Sequence, residues 1–210
     1  MITMKFKKTA PRKTGRPLSF DRDKALEQAM LTFWRHGYET SSISDLTAAM
    51  GISAPSLYTA YGDKKQLFLE AMRLYAGSPD DMEKALTEAP TSREAAQAML
   101  VDAAETFTGD LTPRGCLLAS ATASGSPASA EVQHAVAQVR HGIQARLKAR
   151  IDKDVSDGLL PAGTDSDSLA GLVIAVIQGL SVLARDGADR AQLLAIARTA
   201  TSPWPRAVAG

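Results

Sequence analysis

The sequence predicts an all-α fold, and three observations support this prediction. Apolar residues recur at the three- and four-residue spacing of one helix face through most of the 210-residue chain. No stretch keeps the strict alternation of apolar and polar residues that is typical of a half-buried strand. Alanine and leucine, which favour helices, are abundant, whereas aromatic residues make up only 5% of the chain. We therefore expect amphipathic helices joined by turns.

The first helix is expected to run from Asp21 or Arg22 to His36. Gly37 follows and supplies the unusual backbone conformation that ends many helices. This helix should pack over the two that come after it. The apolar residues of its inner face are Leu26, Ala29, Met30 and Phe33.

Two short helices around a tight turn are predicted between Ser42 and Tyr61. Ser42 can cap the first helix, and Asp45, three residues later, can bond back to it in a capping box. Gly51 can end that helix in a left-handed conformation, and Ser53 can cap the next one. A helix-turn-helix of this kind is typical of DNA-reading proteins.

The second of these helices, from Ala54 to Tyr61, is predicted to bury Leu57 and to leave its other face open. A helix that enters the major groove needs such an exposed polar and aromatic set. The exposed residues are expected to be Pro55, Ser56, Tyr58 and Thr59.

A fourth helix is predicted from its cap, Asp63, to the break at Gly77, and it closes a small domain over residues 21–76. The rest of the chain, 77–205, is expected to form a larger helical domain. Its first segments are predicted as a polar helix or loop at 80–87, a helix at 92–108, a short apolar helix at 116–121 and a loop at 122–129.

Three further helices complete the larger domain. A long one at 130–155 has an apolar stripe at helical spacing. The next is expected to be capped by Ser168 and to end near Arg185, and the last to start at Asp189 and end near Thr199.

Charge is segregated along the chain. Residues 1–76 hold 12 Lys/Arg against 7 Asp/Glu, a net charge of +5, whereas residues 77–210 hold 12 against 16, a net charge of −4. A flexible basic arm at 1–20 could follow phosphates or enter a minor groove. A solubilising tail is the alternative, and the helix-turn-helix immediately after the arm favours the DNA contact.

The segment from Gly15 to Met72 resembles the DNA-binding domain of the tetracycline-repressor-like (TetR) family of bacterial transcription regulators. The resemblance implies a cytoplasmic homodimer that binds double-stranded operator DNA, most often a repressor released from a palindromic site by a small molecule. Residues that carry it are GRPLSFDRDKAL from Gly15, Phe33-Trp34, His36-Gly37-Tyr38, Thr40 to Ile43, Met50 to Ser53, Leu57-Tyr58, Tyr61, Lys64 and Leu67.

The same resemblance assigns roles in DNA binding. By position, Tyr58 and Lys64 should contact phosphates, with Thr40 and Ser42 adding hydroxyl or helix-end contacts. Partial core packing is the alternative for Tyr58. The whole predicted DNA-binding set is Arg16, Thr40, Ser42, Ser53, Ala54, Pro55, Ser56, Tyr58, Thr59 and Lys64, of which Pro55, Ser56 and Thr59 would face base edges.

The helix starting at Ser168 is apolar almost all round and has a ridge of small residues at Gly171, Ala175 and Gly179. We expect it to join the last helix in a two-fold four-helix dimer interface. A core helix within a single chain is the alternative.

An apolar cavity is predicted in the larger domain for a small apolar or aromatic effector. For every residue of the candidate lining, ordinary core packing is an equally good explanation. Cys116 in particular is interpreted as a buried small hydrophobic residue rather than a redox sensor. The candidate lining residues are Met99, Phe107, Leu111, Cys116, Leu117, Leu118, Val173, Ile177 and Gln178.

No catalytic constellation, cofactor motif or metal site is predicted. Glu131, His134, Gln138 and His141 share a helical face, but that face lies opposite the apolar stripe and should point to water. An all-helical enzyme or binding module without sequence-specific DNA binding is the alternative function.

Membrane insertion and secretion are not predicted. The most apolar segment, 169–184, contains Gln178 and two glycines and is short for a bilayer, and no signal peptide is recognisable. A single cysteine excludes an intrachain disulfide and fits the cytoplasm.

Overall fold

The computed structural model describes residues 20–121 and 129–205, and over these ranges the chain forms ten helices and no strand. The all-α prediction is therefore confirmed for the described part of the chain. In order, the helices are α1 (Arg22–His36), α2 (Ile43–Met50), α3 (Ala54–Tyr61), α4 (Lys64–Ala76), α5 (Pro79–Glu88), α6 (Ser92–Phe107), α7 (Leu117–Ser120), α8 (Ala130–Ser156), α9 (Ser166–Arg185) and α10 (Arg190–Ala200).

Helices α1 to α4 enclose an aromatic core. The Phe33 ring meets the Phe68 ring edge to face at 5.1 Å between centroids, and both side chains are fully buried. Arg22 closes this bundle: its guanidinium lies 4.4 Å from the Tyr61 ring centre and 2.7 Å from Glu70 Oε2. Tyr61 is buried, and its hydroxyl donates to the Arg22 carbonyl at 2.8 Å.

The first bundle is joined to the rest of the molecule at Trp34. The Trp34 indole donates to the Gly115 carbonyl at 2.8 Å, and Arg185 donates to the Trp34 carbonyl at 3.0 Å and to the Ser120 hydroxyl. A Cβ atom at Gly115 would lie 2.6 Å from Arg185 Nε, so only glycine permits this approach. The joint therefore ties α1 directly to the turn before α7 and to the end of α9.

In the part of the chain after α5, helix α6 packs against α8, α9 and α10. A buried ion pair between Arg150 and Asp154 on α8 fixes the start of α6, because Asp154 Oδ2 accepts from the Ser92 amide at 2.6 Å. Burial raises the pKa of Asp154, but the hydrogen bonds from Ser92 and Arg150 outweigh it and lower the pKa overall. The sequence pattern gave no sign of this network, since Asp154 lies among exposed polar residues.

The cap of one helix differs from the expectation. Ser168 does not cap α9: the cap is Asp165, whose carboxylate accepts from the Ser168 amide at 3.0 Å and from its hydroxyl at 2.6 Å. The carboxylate is the stronger acceptor and begins the helix a turn earlier. The polar segment left open as a helix or loop is helix α5. The predicted loop at 122–129 lies, except for Ser129, outside the described residues.

Candidate nucleic-acid interface

The turn between α2 and α3 has the predicted local chemistry. Ser42 and Asp45 form a complete capping box at the start of α2. Gly51 ends α2 in the left-handed conformation, with φ 65° and ψ 32°, and the Ser53 side chain accepts from the Ser56 amide at the start of α3. These caps fix the angle at which α3 leaves α2, and α3 stands at the surface of the bundle.

Helix α3 has a buried face and an open face. Leu57 is fully buried, whereas the Tyr58 side chain is 49% exposed. Pro55 and Thr59 are also exposed, so these three side chains form a continuous surface one helical turn long. Ala54 and Ser56 are half-buried, and Ser53 is exposed.

Several hydroxyl protons near this surface are already engaged inside the protein. The Thr59 hydroxyl donates to the Pro55 carbonyl at 2.8 Å, the Ser42 hydroxyl donates to Asp45 Oδ2 at 2.6 Å, and the Thr40 hydroxyl donates to the His36 carbonyl. A phosphate oxygen only accepts, so contact with it requires these hydroxyls to rotate. In the observed geometry their oxygens are positioned to accept from donors.

Lys64 lies at the first turn of α4, beside the loop that joins α1 to α2. Its ammonium donates to the Glu39 carbonyl at 3.2 Å and lies 4.6 Å from the centre of the Tyr38 ring. Burial lowers the pKa of Lys64, and the nearby Glu39 carboxylate opposes that shift. The side chain is held in place, and its ammonium has further protons to donate.

All but one of the residues predicted to contact DNA lie in the described stretch that runs from the loop before α2 to the first turn of α4. Thr40 and Ser42 lie at the start of α2, residues 53–59 form the start and open face of α3, and Lys64 follows α3. Arg16, and the predicted basic arm apart from Phe20, lie outside the described residues.

The candidate effector residues fall into three groups. Met99, Phe107, Cys116, Leu117, Leu118 and Val173 are buried, and Ile177 and Gln178 are half-exposed. Leu111 is 95% exposed, so the prediction that it lines a cavity with the others is wrong. Leu111 lies in the turn between α6 and α7.

Cys116 is buried in a polar setting that the sequence did not reveal. The Tyr75 hydroxyl donates to Cys116 Sγ at 3.3 Å, and the Cys116 amide donates to the Ser181 hydroxyl at 2.8 Å. Burial raises the pKa of Tyr75 strongly. These contacts hold α4, α7 and α9 together next to the Trp34 joint.

Helix α9 has an uncovered apolar face. Leu172 is 43% exposed and Val182 is 56% exposed, and Ala175 and Gly179 between them are exposed as well. Among the described helices, α9 is long and apolar enough to cross a membrane by length and composition, with a mean hydropathy of 1.8. Its Ala170, Val173, Leu180 and Ala184 pack into the core, so α9 is partly a core helix and partly a surface.

The face of α8 that carries Glu131, His134, Gln138 and His141 points to solvent, as predicted. Glu131 forms an ion pair with Lys65 of α4, with 2.6 Å between Nζ and Oε2.

Comparisons with known proteins cover both parts of the chain. Residues 25–71 match the family described as bacterial regulatory proteins, tetR family, and residues 93–200 match the family described as tetracyclin repressor-like, C-terminal domain. The HTH-type transcriptional repressor ComR of Escherichia coli K12 is 35% identical over 201 residues, which is 92% of this chain and 93% of that protein. The repressor BdcR of the same organism is 26% identical over 198 residues, covering 92% of this chain and 93% of BdcR.

A solved structure extends this similarity. The TetR family transcriptional regulator CifR, a cysteine mutant complexed with 26-bp double-strand operator DNA, is 41% identical. The match has a TM-score of 0.85 and covers 91% of this chain and 100% of that one.

Proposed function

The chain belongs to the TetR family of transcription regulators, and on that premise we propose how it binds DNA and how it is controlled. It is a DNA-binding transcription regulator and, like ComR and BdcR, a repressor. We propose residues 21–76 as the DNA-binding domain and 77–205 as the domain for dimerisation and effector binding. The exposed surface of α3 is the observation that carries the proposal.

We propose that α3 enters the major groove with Pro55, Ser56 and Thr59 towards the base edges. Thr59 and Pro55 stand one turn apart on the open face, so they reach adjacent base pairs. The Thr59 oxygen, whose proton is given to the Pro55 carbonyl, is positioned to accept from a base amino group. Half-buried Ser56 needs a close approach of the DNA to make its contact.

Phosphate binding is proposed for the flanking groups. Tyr58 is an exposed residue with a hydroxyl group, and the Lys64 ammonium has further protons to donate beside the end of α3. The start of α2 with Thr40 and Ser42, and the start of α3 with Ser53 and Ala54, present backbone amides at helix N-termini. Arg16 is proposed to reach a neighbouring phosphate or minor groove.

The regulator works as a homodimer. Two copies of α9, joined by α10, are proposed to cover the apolar face between Leu172 and Val182 and to hold two α3 helices about one DNA turn apart on a palindromic operator. A small organic effector bound in the larger domain is proposed to move α4 and so to change this spacing. The repressor acts in the cytoplasm, where its DNA is, and we propose no catalytic role.

The test is the salt dependence of DNA binding, measured by gel shift with the DNA that flanks the gene. Lys64→Ala should weaken binding to operator and to unrelated DNA alike and reduce the slope of log K against log salt by about one phosphate's share. Lys64→Arg, which keeps the charge, should restore the slope. Lys84→Ala on the exposed surface of α5 is the matched control and should change neither quantity.

An unchanged salt slope in Lys64→Ala, with the fold intact by circular dichroism, would remove the phosphate role from Lys64. If the wild-type protein bound none of the flanking DNA specifically, the proposal that this DNA contains its operator would be wrong.

A further inference from the structure

A cleft opens between the end of α4, the start of α5 and the middle of α8. Its volume is about 440 Å³, which lies within the usual size range of small-molecule sites. None of the predicted effector residues lines it. It therefore represents a second place, distinct from the buried core between α6, α7 and α9, where the larger domain can hold a ligand.

The chemistry of the cleft is cationic and apolar at once. Two arginines, Arg73 and Arg146, belong to its lining, and no acidic residue does. The apolar part of the lining is formed mainly by Met82, Val139 and Ile143. Such a combination suits a ligand with an anionic head and an apolar body.

The two arginines differ in how they are held. The Arg73 side chain is exposed and has no hydrogen-bond or ion-pair partner in the part of the chain that the structure describes. Arg146 donates to the Gly142 carbonyl at 2.9 Å, and its Nε lies 3.7 Å from Glu83 Oε2. The Glu83 side chain is 61% exposed, so this long ion pair is weak and leaves Arg146 able to bind an anion.

Gly142 keeps the cleft open. It sits in the interior of the 27-residue helix α8, where glycine costs about 1 kcal/mol relative to alanine. A Cβ atom there would lie 3.1 Å from the Arg146 guanidinium. The missing side chain gives room both for the folded-back guanidinium and for a ligand on the α8 surface.

We propose that this cleft binds an organic carboxylate with an apolar chain or ring. The guanidinium groups of Arg73 and Arg146 take the carboxylate, because their planar donor pairs match its two oxygens. The apolar body lies over Met82, Val139 and Ile143. The uncharged amide of the same molecule lacks the head group that these arginines select.

Ligand binding in this cleft directly affects α4, which is the last helix of the proposed DNA-binding domain. The N-terminal end of α4 is joined to α8 by the Lys65–Glu131 ion pair. The C-terminal end of α4, at Ala76 and Gly77, lines the cleft. A carboxylate held between Arg73 of α4 and Arg146 of α8 fixes their separation. This regulatory step rests on the proposed function; carboxylate binding itself does not.

Ligand binding is tested on the DNA-free protein by thermal melting and calorimetry. The probes are octanoate and 4-phenylbutyrate at millimolar concentration, with octanamide as the uncharged control and acetate as the control without an apolar body. At saturation a carboxylate should raise the melting temperature by roughly 5 °C. Octanamide and acetate should give much smaller shifts.

Two variants locate the site. Arg73→Gln should weaken carboxylate binding roughly tenfold or more, since a charge-assisted contact is lost. Gly142→Leu fills the cleft without removing a charge and should abolish binding. Lys153→Gln, an exposed charge change at the far end of α8, is the matched control and should bind as the wild type does. Circular dichroism checks that each variant is folded. If Gly142→Leu does not fold, Arg73→Gln alone tests the location of the site.

The proposal is overturned if neither carboxylate raises the melting temperature. It is also overturned if the rise persists in both variants, or if octanamide raises the melting temperature as much as octanoate does. Operator binding is measured separately without ligand. Its loss together with retained carboxylate binding would contradict the proposed function and leave the cleft proposal standing. Release of operator DNA by the carboxylate in the wild type, needing at least tenfold more ligand in Arg73→Gln, supports the regulatory step.

Discussion

Asp102 is a half-buried carboxylate on α6 that has no ion-pair partner among the described residues. Burial raises the pKa of Asp102 to about 6, and the Glu105 carboxylate one turn later adds to the rise. A carboxyl group whose pKa is raised in the folded protein favours the unfolded state once it must ionise. Asp102 therefore costs stability, fully above pH 6 and not at all below the pKa of the unfolded chain.

We predict that Asp102→Asn raises the free energy of unfolding at pH 7 by about 1–2 kcal/mol, after allowance for its partial exposure. The gain should shrink between pH 6 and pH 4 and vanish below, because the carboxyl is then protonated in both states. Urea unfolding at fixed protein concentration measures it, with Asp110→Asn as the exposed control. A gain that does not depend on pH would contradict the assignment.

At the level of single helices, the sequence predicted most of what is observed because helix ends are decided locally. The Ser42–Asp45 capping box, the left-handed Gly51 and the Ser53 cap involve only residues within a few positions of one another. Ser168 shows the limit of this reasoning. Two candidate caps, Asp165 and Ser168, lie three residues apart, and the pattern of apolar residues alone does not decide between them.

We predict that Gly51→Ala lowers the free energy of unfolding by about 1 kcal/mol, since a side chain is strained at φ 65° although no atom lies within 4 Å of the new Cβ. Gly163→Ala, also in open space but without a left-handed backbone, is the matched control and should be neutral or slightly stabilising. Chemical denaturation of both variants checks this. Equal effects would show that backbone strain is not the cause.

At the scale of the whole molecule, we propose that the uncovered apolar face of α9 forms the dimer interface. We predict that Val182→Glu yields a monomer with strongly reduced operator affinity, because it places a charge within the proposed dimer interface. Leu159→Glu is the matched control, since Leu159 is 48% exposed and lies outside α9. Sedimentation at micromolar concentration gives the answer. A dimer in Val182→Glu would place the interface elsewhere.

The joint at Trp34 connects α1 by hydrogen bonds to the turn before α7 and to the end of α9. We predict that Arg185→Gln weakens operator binding by roughly tenfold without changing the salt slope, because it loosens the orientation of α1 and removes no phosphate contact. Gel shifts over a salt series measure both quantities, with Lys153→Gln as control. A flattened slope would mean that Arg185 itself reaches DNA.

The candidate site was predicted unevenly for physical reasons. The open face of α3 follows from helical periodicity, so Tyr58 and Thr59 were placed outward correctly. The membership of a cavity depends on how distant helices pack, and there the sequence placed the exposed Leu111 among buried residues. The cleft at Arg73 and Arg146 joins two helices about seventy positions apart, and no local pattern connects them.

The sequence by itself determined the helices, most of their caps, the helix-turn-helix and the family, because these depend on neighbours along the chain. The tertiary structure decided the buried Asp154 pair, the Trp34–Gly115–Arg185 joint and the uncovered face of α9. Each of these depends on contacts between residues far apart in sequence, whose burial and distance are set only when the helices pack.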